Sequence, residues 1–164
     1  MSLLDRLPFG RPRPPAEIPT EPVVYQPIGV VRNKVQKSRP DGWEAVQSQI
    51  VLRDDLAAAL DGLEGFSHAI VVFHMHAIPP EERRDRLVVG TDAIERGVLA
   101  TRSQLRPNAI SVAVVPILHR EGVILTVQGL DAINGTPVID IKPYLPAYDS
   151  VPGATLPAWA IAEA

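Results

Sequence analysis

Three features of the chain predict a mainly β protein, a single small β-barrel with short peripheral helices. Apolar runs rich in β-branched residues recur at close spacing, as at 69–73, 110–118 and 123–127. Clusters built on proline, glycine and asparagine separate them, such as Arg106-Pro107-Asn108 and Asn134-Gly135-Thr136-Pro137. Helical periodicity is almost absent. Short strands with turn chemistry between them argue a barrel of roughly six to eight strands rather than a doubly wound α/β sheet. No Gly-x-Gly-x-x-Gly stands between a strand and a long helix, so the usual Rossmann route to a nucleotide cofactor is missing.

Taken in order, residues 23–32 read as a first strand, β-branched around Gly29. Pro40-Asp41-Gly42 has turn chemistry: proline fixes one φ and glycine accepts a positive one. Residues 45–52 alternate as a second strand. Residues 54–60 form a short helix, with Asp54 as its expected cap and Gly62 as its stop. Residues 67–76 begin as a continuous apolar run, which predicts a central strand covered on both faces. Residues 78–85, with two prolines, form a loop. Further strands are expected at 87–89, 98–100, 110–118, 123–130 and 137–141.

The 164 residues suffice for one domain with a real core. Six of the 17 prolines precede Val23. Residues 1–22 therefore read as a proline-rich arm, disordered or draped over a neighbour. Residues 23–152 form the barrel domain and 153–164 a tail. No apolar core of a signal peptide follows Met1, and no stretch approaches the roughly 20 apolar residues of a membrane helix. The chain has no cysteine, which excludes disulfides, iron–sulfur clusters, thiolate nucleophiles and cysteine zinc sites. That composition is compatible with a cytoplasmic location. A net charge of −3 supplies no global field toward nucleic acid, so any RNA contact needs a local basic patch. Arg83, Arg84 and Arg86 are one candidate, although Glu81, Glu82 and Asp85 beside them read more simply as a solvated mixed-charge loop. Arg102 with Arg106 is the other.

Polar side chains concentrate at strand ends between 97 and 144, where a rigid scaffold can present them to a ligand. Arg102, between Thr101 and Ser103, can hold a carboxylate bidentately. Arg106 and Asn108 can serve the same site or simply order its loop. His74 and His76 are two residues apart and share a strand face. His68 would lie roughly 20 Å from them along the strand, so no metal site is expected. Asp140 and Lys142 also share a face, and a structural ion pair weighs equally with a functional one.

Several segments carry a resemblance: Gly62-Leu63-Glu64-Gly65-Phe66-Ser67-His68, GVLATRS at 97–103, RPN at 106–108 and GLDAINGTPVIDIKPYLP at 129–146. With Ile28-Gly29-Val30-Val31-Arg32 before them, their order and spacing resemble the TsaA/TrmO-like (YaeB-like) family. The resemblance implies an S-adenosylmethionine-dependent methyltransferase on a small β-barrel. It implies methylation of threonylcarbamoyladenosine beside the tRNA anticodon, tRNA as a partner and a homodimer with the cofactor near the partner copy. It ties Arg102 to the cofactor and sets Met75 and His76 at the family's Phe-His pair. Arg106, Asn108, Val112, Asp131 and Lys142 complete the expected cofactor-binding set. Asp131 can bind a ribose hydroxyl or the methionyl ammonium. Asp140 and Tyr144 are the expected catalytic residues, because a carboxylate or phenol can accept the proton an adenine amine loses on methylation. A cofactor-binding regulatory protein and a small-molecule methyltransferase are the alternatives. The chain departs from the family at Ser38-Arg39-Pro40-Asp41-Gly42-Trp43, at Ala109-Ile110-Ser111 and at Asn134. Characterised tRNA-acting members also carry a further C-terminal domain, which the few residues after 152 do not supply.

Overall fold

The computed structural model describes residues 20–163, and most of the expected proline-rich arm (1–19) lies outside them. Eight strands form: β1 (Gly29–Arg32), β2 (Gln47–Leu52), β3 (His68–His74), β4 (Arg86–Val89), β5 (Ile94–Gly97), β6 (Ile110–Glu121), β7 (Ile124–Gln128) and β8 (Pro137–Pro143). Six of them close a barrel in the order β1-β2-β7-β6-β3-β8, and β4 with β5 makes a separate hairpin. Every barrel pairing is antiparallel. The helices are short 3₁₀ turns, apart from a single α turn at Pro146–Asp149. Among the described residues no helix is long and apolar enough to cross a membrane.

The barrel closes around aliphatic side chains. Val31, Ile50, Val71, Leu125, Val127 and Val138 are fully buried, and Phe73 is the aromatic among them. Gly29 occupies a point of close approach, where a Cβ would stand 2.6 Å from the Val51 carbonyl oxygen. The opposite faces of the strands look outward. On β3, Ala69, Val71 and Phe73 point in, while His68, Ile70, Val72 and His74 are half-buried outside. This corrects the expectation of a strand covered on both faces: only its inner face is fully covered, and the apolar run spans both sides.

Three other local expectations change. Residues 23–28 do not extend the first strand: Pro27 has no N–H to donate to a ladder, and Ile28, donating to Val138 O at 2.8 Å, is where pairing starts. Residues 98–100 form a 3₁₀ turn, and the strand lies just before them at Ile94–Gly97, pairing with β4. Asp54 opens a 3₁₀ rather than an α-helix and is its first residue, not its cap. The turn at Pro40-Asp41-Gly42 is present, with Gly42 at φ 74°.

Topology decides what can meet. The C-terminal ends of β1, β3 and β7 and the N-terminal ends of β2, β6 and β8 lie at one end of the barrel. The connections 33–46, 75–109 and 129–136 therefore converge there. The opposite end is held by Arg120, which pairs with Asp61 at 2.9 Å and Glu64 at 3.3 Å and donates to Ala57 O. The tail returns to the hairpin: Trp159 packs on Gly90, and the Arg96 guanidinium lies 4.2 Å from the centre of its ring.

Candidate functional site

Where the three connections converge, an apolar recess shares walls with a larger polar cleft. The recess is lined by Phe73, Met75, His76, Ile78, Ile133 and Thr136, among others. The cleft encloses about 650 Å³, with Arg39, Arg102, Ser103 and Ser111 on its rim. Ser38, Trp43, Met75, Gln104 and Asp131 line both. A cleft of this size with convergent polar groups suits a cofactor or drug-sized ligand.

The walls are tied together by Asn33. Its Nδ2 donates to Ser48 Oγ at 2.9 Å and to Ala132 O at 2.8 Å, and its Oδ1 accepts from Val35 N at 3.0 Å. Asn134 reciprocates, donating its N–H to Val35 O and accepting Asn33 N–H on Oδ1. The connections 33–46 and 129–136 are thus one hydrogen-bonded unit across the barrel mouth. A second unit holds the ATRS-to-RPN loop. Arg106 Nε donates to Ser103 O at 3.0 Å and its Nη2 to Thr101 O at 2.6 Å, while Thr101 Oγ1 accepts from Ser103 N.

Arg102 is held at the cleft by a 2.7 Å hydrogen bond from Nη2 to Val112 O, which aims the guanidinium across the start of β6. Across the cleft, Asp131 has one side open to water and the other packed against the walls. Burial raises its pKa above the ordinary carboxylate value; its own backbone N–H and the Arg102 charge offset part of that rise. Two cations, Arg39 and Arg102, and one carboxylate thus face the same concave space.

The expected site residues divide accordingly. Met75, Arg102 and Asp131 come together in the cleft, with His76 in the recess that shares its walls. Arg106 lies behind its rim as a loop tie. Asn108 faces a groove of about 1000 Å³ between residues 21–27 and the outer wall, with His74 and Asp140. Val112 and Asp140 flank Val72 on the outer face, and Lys142 pairs with Ile70 on the same face. Asp140 and Lys142 form an exposed ion pair at 2.5 Å, which raises the lysine pKa. Tyr144, past the end of β8, stands edge-on to His68 with ring centres 6.3 Å apart, near the far end of the barrel. Within one chain, Asp140, Lys142 and Tyr144 are therefore apart from the cleft. Among the described residues no group of three His, Cys, Asp or Glu side chains gathers to hold a metal.

Sequence reasoning assigns no site role to Ser38, Trp43, Gln104, Ser111, Ile133 and Thr136. A tryptophan directly after a Pro-Asp-Gly turn is the one usable signal, because a turn exposes whatever ring follows it. The Arg83, Arg84 and Arg86 cluster is absorbed by structure: Arg83 Nη1 donates to Pro107 O, Arg84 Nη1 to Glu81 O, and Arg86 pairs with Glu95.

Comparison with known proteins shows the family. Residues 33–150 match the family model of the tRNA-methyltransferase O N-terminal domain. The chain belongs to that family. A probable S-adenosyl-L-methionine-binding protein of Methanothermobacter thermautotrophicus is 40% identical over 131 residues, covering 77% of this chain and 93% of that protein. The tRNA (adenine(37)-N6)-methyltransferase of Escherichia coli is 44% identical over 147 residues, covering 80% and 61%. A crystal structure of TrmO from Pseudomonas aeruginosa superposes with a TM-score of 0.72 at 31% identity, over 90% of this chain and 65% of that one. This family member thus spans under two thirds of the Escherichia coli and Pseudomonas proteins, and nearly all of the archaeal one.

Proposed function

We propose that the protein is an S-adenosylmethionine-dependent methyltransferase acting in the cytoplasm on tRNA, with the exocyclic nitrogen of threonylcarbamoyladenosine next to the anticodon as acceptor. The observation that carries this reading is the pairing of Arg102 and Asp131 across a cleft of about 650 Å³ in a chain of this family. The donor set fits a zwitterionic nucleoside. Arg102 has guanidinium N–H groups beyond the one on Val112 O to grip a carboxylate. Asp131 suits an ammonium or a ribose hydroxyl, the recess beside Phe73 and Ile78 suits the apolar part, and His76 can bond a ribose or base edge. Bound there, S-adenosylmethionine supplies an electrophilic methyl group on a sulfonium centre. The side chains then have two tasks, holding the acceptor nitrogen in line and receiving the proton it loses. Asp131 is the carboxylate that lines the cleft, so within one chain the second task falls to it where the ammonium is held by other groups.

The proposal includes a homodimer. The outer face of β6 presents Val112 and Val114 at 40% and 51% exposure, with Ile110 and Leu118 in the same alternating row. A second copy covering that face is the arrangement under which Asp140 and Tyr144 reach a neighbour's cleft and keep the catalytic role the family resemblance implies.

Calorimetric titration with S-adenosylmethionine tests the first step. Arg102→Ala should weaken binding by about 1.5–3 kcal/mol, the scale of a charge-assisted hydrogen bond. No heat and no thermal shift at millimolar ligand would defeat the cofactor reading. Transfer of labelled methyl to tRNA from a strain lacking the modification tests the second. Binding without transfer to tRNA, or to any nucleoside offered, would favour the alternative that the archaeal relative's name describes, a protein that binds S-adenosylmethionine.

A further inference from the structure

The geometry points to the connection between β1 and β2 as an RNA-docking strip, with Trp43 as its base-stacking platform beside the cleft. Four of the chain's 16 lysines and arginines fall within eight positions here, Arg32, Lys34, Lys37 and Arg39, and no acidic residue stands between Glu21 and Asp41. All four are exposed, whereas Asn33 and Val35 between them are half-buried. The Asn33 unit that ties this connection to Ala132 and Asn134 sets that alternation, turning Arg32 and Lys34 away from the barrel mouth. Ion pairs among the described residues use Arg53, Arg86, Arg96, Arg120 and Lys142, so none of these four charges is neutralised by a described carboxylate. In a protein of net charge −3 this is a local field of opposite sign at the functional end of the barrel.

The strip ends on an aromatic ring. Trp43 Nε1 donates to Arg39 O at 3.0 Å, and Arg39 Nη2 donates to Gly42 O at 2.5 Å. These bonds close a turn from Arg39 to Trp43 that places the Arg39 guanidinium 5.1 Å from the centre of the indole ring. Trp43 and Arg39 both line the cleft, so a planar cation and a planar ring stand where an acceptor base must enter. Basic groups that track a backbone and end on an aromatic face are the recurring chemistry of single-stranded RNA recognition. Asp41 within the turn and Glu44 directly after it are exposed carboxylates that repel phosphate, which leaves the run 32–39 as the approach. This assignment rests on the RNA-acceptor reading above and names the surface that would deliver it.

The test is fluorescence anisotropy with a labelled anticodon stem-loop RNA, titrated against the full chain from about 50 to 200 mM salt. The triple variant Arg32→Gln/Lys34→Gln/Lys37→Gln should bind about tenfold or more weakly at the low-salt end. Its slope of log affinity against log salt should fall by about 2, roughly 0.7 for each phosphate no longer neutralised. Arg53→Gln/Arg86→Gln, which removes exposed charge elsewhere, should leave the slope unchanged. Trp43→Ala should cost roughly 5- to 150-fold in affinity, the scale of one stacked base. In a Trp159→Phe background Trp43 is the sole tryptophan, and the RNA should quench its emission. That readout does not depend on how well Trp43→Ala folds. An equal fall in slope per charge in the triple and control variants, or an emission that RNA leaves unchanged, overturns the inference while wild-type methylation of tRNA stands. A wild type that neither binds the RNA nor methylates tRNA overturns the inference together with the acceptor reading.

Discussion

Replacing Asn33 by alanine tests whether the barrel mouth is one unit. The side chain makes three hydrogen bonds, to Ser48 Oγ, Ala132 O and Val35 N. Ser48 is fully buried, so its hydroxyl loses a protein partner that water cannot easily replace. At about 1 kcal/mol net for each bond, with an added penalty for any group left unsatisfied, Asn33→Ala should cost about 3–4 kcal/mol. For a chain of this size that corresponds to a fall in Tm of roughly 6–16 °C. Urea unfolding followed by circular dichroism gives the free energy, and differential scanning calorimetry gives Tm. The two connections held by Asn33 also carry Ser38, Trp43 and Asp131, so ligand affinity should fall with stability. Asn33→Asp separates the contributions. It keeps an acceptor for Val35 N but sets a carboxylate against the Ala132 carbonyl, so it should not rescue the variant at neutral pH. A Tm within about 1 °C of wild type for Asn33→Ala would refute the reasoning, since three bonds at the barrel mouth would then contribute nothing net.

Two further outcomes are expected. Burial raises the Asp131 pKa, so the folded chain holds that proton more tightly than the unfolded one; the Asp131 contribution to stability is full below the unfolded value near 3.8 and is lost as pH rises through the raised folded value. Asp131→Asn should therefore flatten the pH dependence of urea midpoints between the unfolded value and the raised folded one and match or exceed wild-type stability at neutral pH, and a steeper dependence would contradict the assignment. Ala93, exposed at the tip of the β4–β5 hairpin with φ 51°, sits in a conformation that disfavours a side chain; Ala93→Gly should stabilise by up to about 1 kcal/mol, and a lowered Tm would mean that the turn relaxes without strain.

The barrel was legible because its determinants are local. β-branched runs and Pro, Gly and Asn turns mark β2, β3, β6, β7 and β8 to within a few residues, and Pro40-Asp41-Gly42 forms the turn its chemistry dictates. The misplacements share one cause, pairing that local sequence does not encode. Residues 98–100 are as β-prone as 94–97, but the partner β4 reaches only to Gly97. Residues 23–26 have the composition of a strand and no ladder to join. The cleft was half legible. Arg102 and Asp131 could be named from strand-end position and family words, whereas Trp43, Gln104 and Ser111 enter only through the convergence of three connections at one barrel end. The basic strip at 32–39 is hidden for a simpler reason: a net charge of −3 describes the whole chain and conceals where the positive charges lie.

The placement of Asp140 follows from the β-bulge as much as from sequence. Pairing of β3 with β8 runs Val72 with Asp140 and then Phe73 with Val138, so one residue of β8, Ile139, is passed over. Without that extra residue the alternation from the buried Val138 would put Asp140 inside; with it, Asp140 and Lys142 share the outer face with Val72 and Ile70. A charged pair could not be left in an aliphatic barrel without heavy cost, and the bulge is the local change that turns it to water. The DIKPY words therefore have a structural meaning in a single chain, as an outward ion pair followed by a tyrosine against His68. Their catalytic meaning requires a second copy at that face. Asp140→Asn and Tyr144→Phe, measured for single-turnover methylation alongside Val114→Lys for dimer dissociation, decide the matter. Loss of transfer by roughly 10²-fold in all three, with S-adenosylmethionine still bound, places the general base across the interface. Full transfer by a monomeric Val114→Lys leaves Asp131 as the proton acceptor of the cleft.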